Sequence, residues 1–335
     1  MVKTRIYTLA KEFHGEPKES DMKIVEKDLP SLKKNEILCE AVCWSVDPYM
    51  RSFISGSSVG SPMFGQQVAK IIESHHPDYP VGKHVVGYFG WRTYTIADVT
   101  DSRLSSFFPF YILPDIGDLP LSLALGVLGM TGNTAYFGLK EVCKPKSGEI
   151  VVVTGAAGAV GSQVGQIARI LGCRVIGFTG SDEKVKWLTE ELKFDKAYNY
   201  RTTNISEALN ESAPSGADIY FDNVGGAIST TVIDHMRERG RILICGSIST
   251  YNATKGDKNK DNVKDATSTK HLKVEHFAVT SWKSHWQEGI KQNLQWIREG
   301  KLLWRETITQ GFENMPKAFI GMLRGENIGK AIVKA

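Results

Sequence analysis

The sequence has little that would mark a metal centre, a redox pair or a membrane anchor. Its five cysteines are Cys39, Cys43, Cys143, Cys173 and Cys245, and no two are separated by two residues. Zinc knuckles and dithiol redox motifs need that spacing. An odd count of scattered cysteines reads as reduced, buried thiols in a cytosolic protein. The eight histidines show no ligand-type spacing with any cysteine. No catalytic or structural zinc is therefore expected. No run of 18 uncharged apolar residues occurs, so no transmembrane helix is expected. The first residues, MVKTRIYTLAKEFHGEP, lack the apolar run of a signal peptide. Charge of neither sign dominates. The balance of 41 basic and 37 acidic residues gives +4, too mild for nucleic acid or an anionic membrane as the main partner.

What is present points to an enzyme-sized α/β protein. A chain of 335 residues is long enough for two domains. With 41% hydrophobic and 23% charged residues, it is not a disordered chain. Its 32 glycines exceed the typical ~7% and suit a fold with many tight turns. The first hundred residues read as short strands, at 37–43, 67–73 and within 80–87, with Gly and Pro between them. That spacing predicts an irregular β-barrel. Residues 101–118 read as a connecting loop and the apolar stretch 119–130 as the start of a buried helix.

After residue 120 the rhythm becomes strand–helix alternation. Strands are expected at 149–154, 173–179, 217–221 and 241–245. Helices are expected at 160–171, 182–192 and 227–236. This alternation predicts a doubly wound parallel sheet. Residues 252–273 are rich in Lys and Asp and read as a solvated loop, with a lid over the active site as the sharper alternative. A helix at 284–298 follows, with Trp282, Trp286 and Trp296 assigned to packing rather than to ligand stacking. A helix at 314–323 and a strand at 331–333 close the chain. That last strand comes after the parallel sheet is complete, so it is expected to return to the first domain. The domains are then 1–122 with 306–335, and 123–305.

The strongest motif is Thr154-Gly155-Ala156-Ala157-Gly158-Ala159-Val160-Gly161, between a buried strand and a helix. Glycines at 155, 158 and 161 permit a tight turn, close approach of a pyrophosphate, and close helix–strand packing. The helix start offers free N–H groups and a positive dipole end to phosphate. An NAD site usually carries an acid ~20 residues further on, at the end of the second strand. Here that neighbourhood reads Thr179-Gly180-Ser181, with Lys184 one turn into the next helix. The missing acid and the nearby lysine favour NADP(H). Asp182 is expected in the first turn of that helix, and Arg201 is a second cationic candidate. Asn223 follows a later strand and is placed to bond ribose or nicotinamide, or else to cap the following helix. Gly225, Gly226 and Gly246 line the same strand ends.

The strings GAAGAVGS with GQIA, GSDEK, FDNVGG, CGSISTYN and the closing GENIGKAIVKA resemble the prostaglandin reductase 1 family. So do SVDPYMR, GQQVAKIIES and LPLSLALGVLGMTG in the first half. The enzymes of this family are also called leukotriene B4 12-hydroxydehydrogenase or 15-oxoprostaglandin 13-reductase. They are zinc-independent medium-chain dehydrogenase/reductases. The resemblance covers nearly the whole chain. It implies a GroES-like barrel domain plus a Rossmann domain, and a cytoplasmic homodimer. It implies NADPH-dependent reduction of the C=C bond of α,β-unsaturated ketones and aldehydes, such as 15-oxo-prostaglandins and 2-alkenals. The family's other name adds oxidation of 12-hydroxy-leukotriene B4, which is not read from these residues. The cofactor residues it implies are Gly158, Ala159, Val160 and Gly161 on the pyrophosphate, and Lys184 and Tyr200 near the adenosine phosphate. Asn223, the run Cys245, Gly246, Ser247, Ile248, Ser249, Thr250 and Tyr251, then Phe277, Ala278, Val279 and Asn327 complete the set.

In such a reaction negative charge develops on the substrate's carbonyl oxygen, and a hydrogen-bond donor stabilises it. Tyrosine suits this role because it stays protonated at neutral pH. Tyr49 is the first candidate, set against the reading that it packs inside the barrel, and Tyr251 is the second. The family places another tyrosine in the loop before the Glu-x-Phe segment, where this chain has Thr269. Two other readings share the sequence: a zeta-crystallin-type NADPH quinone reductase, and a dinucleotide-binding scaffold without turnover.

Overall fold

A computed structural model describes residues 2–252 and 268–335. It divides into two compact units, one of Met1–Gly129 with Glu306–Ala335 and one of Met130–Arg305. The first unit carries a hairpin-like pair, β1 (Lys3–Leu9) and β2 (Met22–Asp28). It also carries β3 (Glu36–Ser45), β4 (Gln67–Ser74), β5 (His84–Gly87), β6 (Tyr94–Asp98) and β7 (Tyr111–Ile112). The second unit holds β8 (Ile150–Thr154), β9 (Arg174–Thr179), β10 (Lys196–Asn199), β11 (Ala217–Asp222), β12 (Met236–Ile244) and β13 (Lys273–His276). The chain then returns to the first unit as β14 (Glu306–Gln310) and β15 (Lys330–Lys334).

In the first unit the sheet order is β14-β15-β3-β4-β5-β7, with β6 also paired to β3. Alternation builds its core. Ile37, Cys39, Ala69, Ile71, Val85 and Ala97 come from four strands and form one buried cluster. Farther along the strands, Cys43, Val68, Val86 and Ile332 form a second cluster. Two register shifts between β3 and β4 bend the sheet between them. The C-terminal strand β15 pairs antiparallel with β3 and parallel with β14. Its Ile332 and Val333 are fully buried.

The second unit is a six-stranded sheet of order β10-β9-β8-β11-β12-β13, parallel throughout. All five residues of β8 are buried, as a central parallel strand requires. The flanking helices follow the expected segments with small differences: Gly161–Ile170, Asp182–Lys186 continuing as a π-helical turn to Glu191, Gly226–Asp234 and Trp286–Arg298. Trp286 is buried, and Trp282 stacks on Phe137 at 5.0 Å, so both are packing residues. None of the described helices is long and apolar enough to cross a membrane.

Three expectations need correction. The stretch 119–130 is not a helix start. It forms a 3-10 turn at Leu121–Leu125, and the helix begins only at Met130. The chain folds back tightly there: a Cβ on Gly129 would lie 2.0 Å from the Ala124 carbonyl oxygen. The strand expected at 241–245 begins five residues earlier, at Met236. The polar run Arg237-Glu238-Arg239 hides it, and Arg239 has φ +61° beside a register shift against β11. The loop 252–273 ends early, because β13 begins at Lys273. The lid reading of that loop falls mainly on 253–267, outside the described residues.

All five thiols are unpaired. Burial pushes Cys39, Cys43, Cys143 and Cys245 up from 9.0 to about 12. Unfolded, these thiols ionise near 9; folded, they keep their protons to about 12. Stability is therefore intact below pH 9 and lost as pH climbs from 9 toward 12, by about 1.4 kcal/mol per thiol per pH unit. Urea midpoints measured under reducing conditions should fall clearly between pH 8 and pH 10. An unchanged midpoint would mean that the thiols are not shielded in this way.

Candidate functional site

The glycine turn after β8 is built by backbone crowding. Gly155 has φ +60°, a conformation that favours glycine. A Cβ on Gly161 would lie 2.4 Å from the Gly155 carbonyl oxygen and 2.8 Å from the Ala156 Cα, neither of which can yield. Gly158 is different, since a Cβ there would meet only the Gly155 oxygen, at 3.2 Å. Gly158 therefore leaves room for a ligand to approach the backbone, while Gly161 lets the helix start against the turn. A further glycine, missed in the sequence, seats the helix against the loop before β10: a Cβ on Gly165 would overlap the Phe194 ring at 1.9 Å. Ala159, Val160 and Gly161 stand at the N-terminus of this ten-residue helix. Their amides lack intrahelical acceptors and the helix dipole is positive there, which fits a pyrophosphate.

The end of β9 gathers positive charge. A Cβ on Gly180 would lie 2.9 Å from the Tyr200 hydroxyl, so the tyrosine closes over this glycine. Ser181 caps the next helix by accepting from the Lys184 amide. Asp182, the nearest acid, is occupied by the Asn199 amide at 2.8 Å. Burial, and next the charge of Arg201, lower the pKa of the Lys184 ammonium. Two cations and a phenol thus surround the place where an acid would hold a 2′-hydroxyl. That donor set fits a 2′-phosphate.

At the ends of β11 and β12, buried Asp222 organises the backbone. It accepts from Thr154 Oγ1, the Val224 and Gly225 amides, and Ser229 Oγ. Asn223 donates from its side chain to the Thr154 carbonyl at 2.8 Å, tying the ends of β8 and β11. It does not cap the next helix, whose N-cap is Gly225 at φ +68°. The run after β12 folds back on itself as a 3-10 turn at Ile248–Thr250, and the Tyr251 hydroxyl accepts from the Ser247 amide. A Cβ on Gly246 would lie 3.2 Å from that hydroxyl. Cys245 is half-buried, and desolvation raises the pKa of its thiol. The Phe277 amide donates to the Ile244 carbonyl, leading into Ala278 and Val279. Thr269 is exposed.

In the first unit, Tyr49 opens the short helix Tyr49–Phe53. Five rings surround it: Phe53, Phe64, Tyr88, Phe107 and Phe108. Its hydroxyl is enclosed, with the Tyr88 hydroxyl as a hydrogen-bond partner. Burial, then Asp47, hold its pKa well above the usual phenol value. Asp47 is itself buried and paired with Lys330 at 3.1 Å. The lysine also donates to the Val46 and Ala331 carbonyls, so the C-terminal strand anchors the loop before Tyr49. Asn327 also lies in this unit, its amide donating to the Gly329 carbonyl. Among the described residues, no three His, Cys, Asp or Glu side chains are grouped to hold a metal ion.

A fully parallel sheet with this glycine turn, and a C-terminal segment returning to a separate β unit, define a medium-chain dehydrogenase/reductase. Residues 5–104 match the profile of an N-terminal domain of oxidoreductase, and residues 159–297 that of a zinc-binding dehydrogenase. Prostaglandin reductase 1 of Oryctolagus cuniculus is 47% identical over 99% of this chain and 93% of its own length. The 2-alkenal reductase (NADP(+)-dependent) of Nicotiana tabacum is 39% identical over 95% of this chain and 94% of its own. The crystal structure of CurA from Vibrio vulnificus in complex with NADPH superimposes with a TM-score of 0.90 at 35% identity, covering 99% of both chains. The chain belongs to the prostaglandin reductase 1 family.

Proposed function

We propose that this protein is an NADPH-dependent reductase of the C=C bond of α,β-unsaturated ketones and aldehydes, with 15-oxo-prostaglandins and 2-alkenals as the substrate class. The observation that carries it is the cationic site at the end of β9, where Lys184, Arg201 and Tyr200 replace the acid of an NAD enzyme. The relatives named for prostaglandin and 2-alkenal reduction support the substrate class.

Gly158, Ala159, Val160 and Gly161 would hold the pyrophosphate, and Lys184 and Tyr200 the 2′-phosphate. Asn223, Cys245–Tyr251, Phe277–Val279 and Asn327 would line the rest of the cofactor. When bound, NADPH supplies a hydride to the substrate β-carbon. Tyr49 donates a hydrogen bond to the carbonyl oxygen, where the negative charge gathers. Its raised pKa keeps that proton in place throughout the neutral range. The α-carbon then takes a proton from water, leaving the saturated carbonyl compound and NADP+. Tyr251 is the second donor candidate, and its hydroxyl oxygen accepts from the Ser247 amide. The first unit serves as the substrate domain and the second as the NADP-binding domain. The reading includes a cytoplasmic homodimer. Among the described residues β13 ends the sheet, offering an edge for pairing.

A medium-chain enone should oxidise NADPH far faster than NADH. Tyr49→Phe is expected to lower kcat by about 10- to 100-fold, the value of one hydrogen bond to a charged group at about 1.5–3 kcal/mol, with NADPH affinity retained. Undiminished turnover would make Tyr49 a packing residue and shift the donor role to Tyr251.

A further inference from the structure

One acid does stand near the end of β9, and the fold holds it to one side. Asp182 opens the helix Asp182–Lys186 directly after the capping Ser181, three residues beyond the end of β9 and two before Lys184. A carboxylate loose in this first turn would stand within one helical turn of the Lys184 ammonium. There it would accept a hydrogen bond from a ribose hydroxyl and repel a phosphate. Asp182 is exposed, so packing does not hold it. Asn199 does. This residue ends β10 and lies opposite Thr179 in the parallel pair. Its Nδ2 donates to Asp182 Oδ1 at 2.8 Å, and its Oδ1 accepts from the Arg201 amide at 3.1 Å. The Arg201 amide can only donate, so it fixes the side-chain oxygen and turns the NH2 group toward the carboxylate. Asn199 is 8% exposed, and its backbone carbonyl accepts from the Thr202 and Thr203 amides at 3.1 and 2.9 Å. Enclosed in this way, with donor and acceptor both committed, the side chain keeps one orientation. It ties the acid on one side and the backbone that carries Arg201 on the other.

We propose that Asn199 is a specificity-determining positioning residue: it tethers the Asp182 carboxylate against β10, so that a nucleotide meets cations and not an acid at its 2′-substituent. Asn199 acts through Asp182 and needs no contact of its own with the cofactor. A neutral amide suits the task, because it holds a carboxylate by hydrogen bonding without adding a charge beside the phosphate. The inference rests on the NADPH reading and deepens it by naming the residue that keeps the acid out of the site.

The test measures dissociation constants of NADPH and NADH for the full-length protein by nucleotide fluorescence, with no enone present. In Asn199→Ala the preference for NADPH over NADH should fall by about tenfold, mainly through weaker NADPH binding. Tenfold is about 1.4 kcal/mol and lies within the Coulomb energy of two charges ~4 Å apart near a protein surface. In an Asp182→Asn background the same replacement should change the preference by less than about threefold, because no charge is then released. An unchanged preference in Asn199→Ala overturns the tether. So does an equal loss of both nucleotides, which marks a purely structural role. A tenfold loss that persists in the Asp182→Asn background also overturns it, since Asn199 would then act through the Arg201 backbone instead. If the unaltered protein binds NADPH no more tightly than NADH, the NADPH reading itself fails, and the tether with it.

Discussion

Replacing Lys184 by alanine is expected to raise the KM for NADPH by about 10- to 100-fold and to leave that for NADH within about twofold. The range follows from the value of a hydrogen bond to a charged group, about 1.5–3 kcal/mol. The environment argues for the upper half of it. Lys184 is partly withdrawn from solvent and faces a second cation, Arg201, and both lower the pKa of its ammonium. A dianionic phosphate placed near the two would be attracted by both cations. NADH has only a hydroxyl at this point and gains nothing from the lysine. The experiment is a pair of steady-state titrations, with NADPH and with NADH. A parallel loss with both nucleotides would put 2′-phosphate recognition elsewhere. Arg201 is exposed and is expected to contribute less.

Lys330→Met is expected to destabilise the fold by about 3–5 kcal/mol, because it strands the Asp47 charge in the core. Asp47 is 2% and Lys330 4% exposed. The carboxylate then keeps the Ser45 hydroxyl as a partner. The double variant Asp47→Leu/Lys330→Met should recover a large part of the loss, since removing both charges also removes the uncompensated one. Recovery should be incomplete, because the lysine also serves the Val46 and Ala331 carbonyls. Urea denaturation of the two single variants and the double supplies the cycle. Additive effects would show that the two side chains do not depend on each other. The functional consequence follows from position: Asp47 precedes Tyr49 by two residues, so loosening the pair lets the phenol drift from the place where an enone oxygen would meet it.

Much of the second unit is legible in the chain itself. Residues 150–153 are apolar without interruption, and only a strand covered on both faces tolerates that. Gly155, Gly158 and Gly161 sit where the turn needs them. Strands β10 and β13 were not legible, since Lys196-Ala197-Tyr198-Asn199 and Lys273-Val274-Glu275-His276 have too few apolar residues to signal burial. Both lie at the ends of the sheet, where one edge meets solvent and polar residues are tolerated. The distinct roles of the motif glycines were also hidden. Gly161 is excluded from bearing a side chain by the Gly155 carbonyl, and Gly158 is not.

The sequence alone determined the parallel sheet, the glycine-rich turn after β8, the absence of an acid at the end of β9 and the family. Each of these is a local matter, set by the period of apolar residues, by φ angles open to glycine, or by charge within one helical turn. Only the tertiary structure decided what depends on residues far apart in the chain. Lys330 reaches Asp47 across 283 positions because β15 returns to pair with β3. Arg201 joins Lys184 because β9 and β10 lie side by side. Tyr49 has five aromatic neighbours because its helix and three separate segments fold to one place. Such neighbourhoods are products of strand order, which no window of sequence contains.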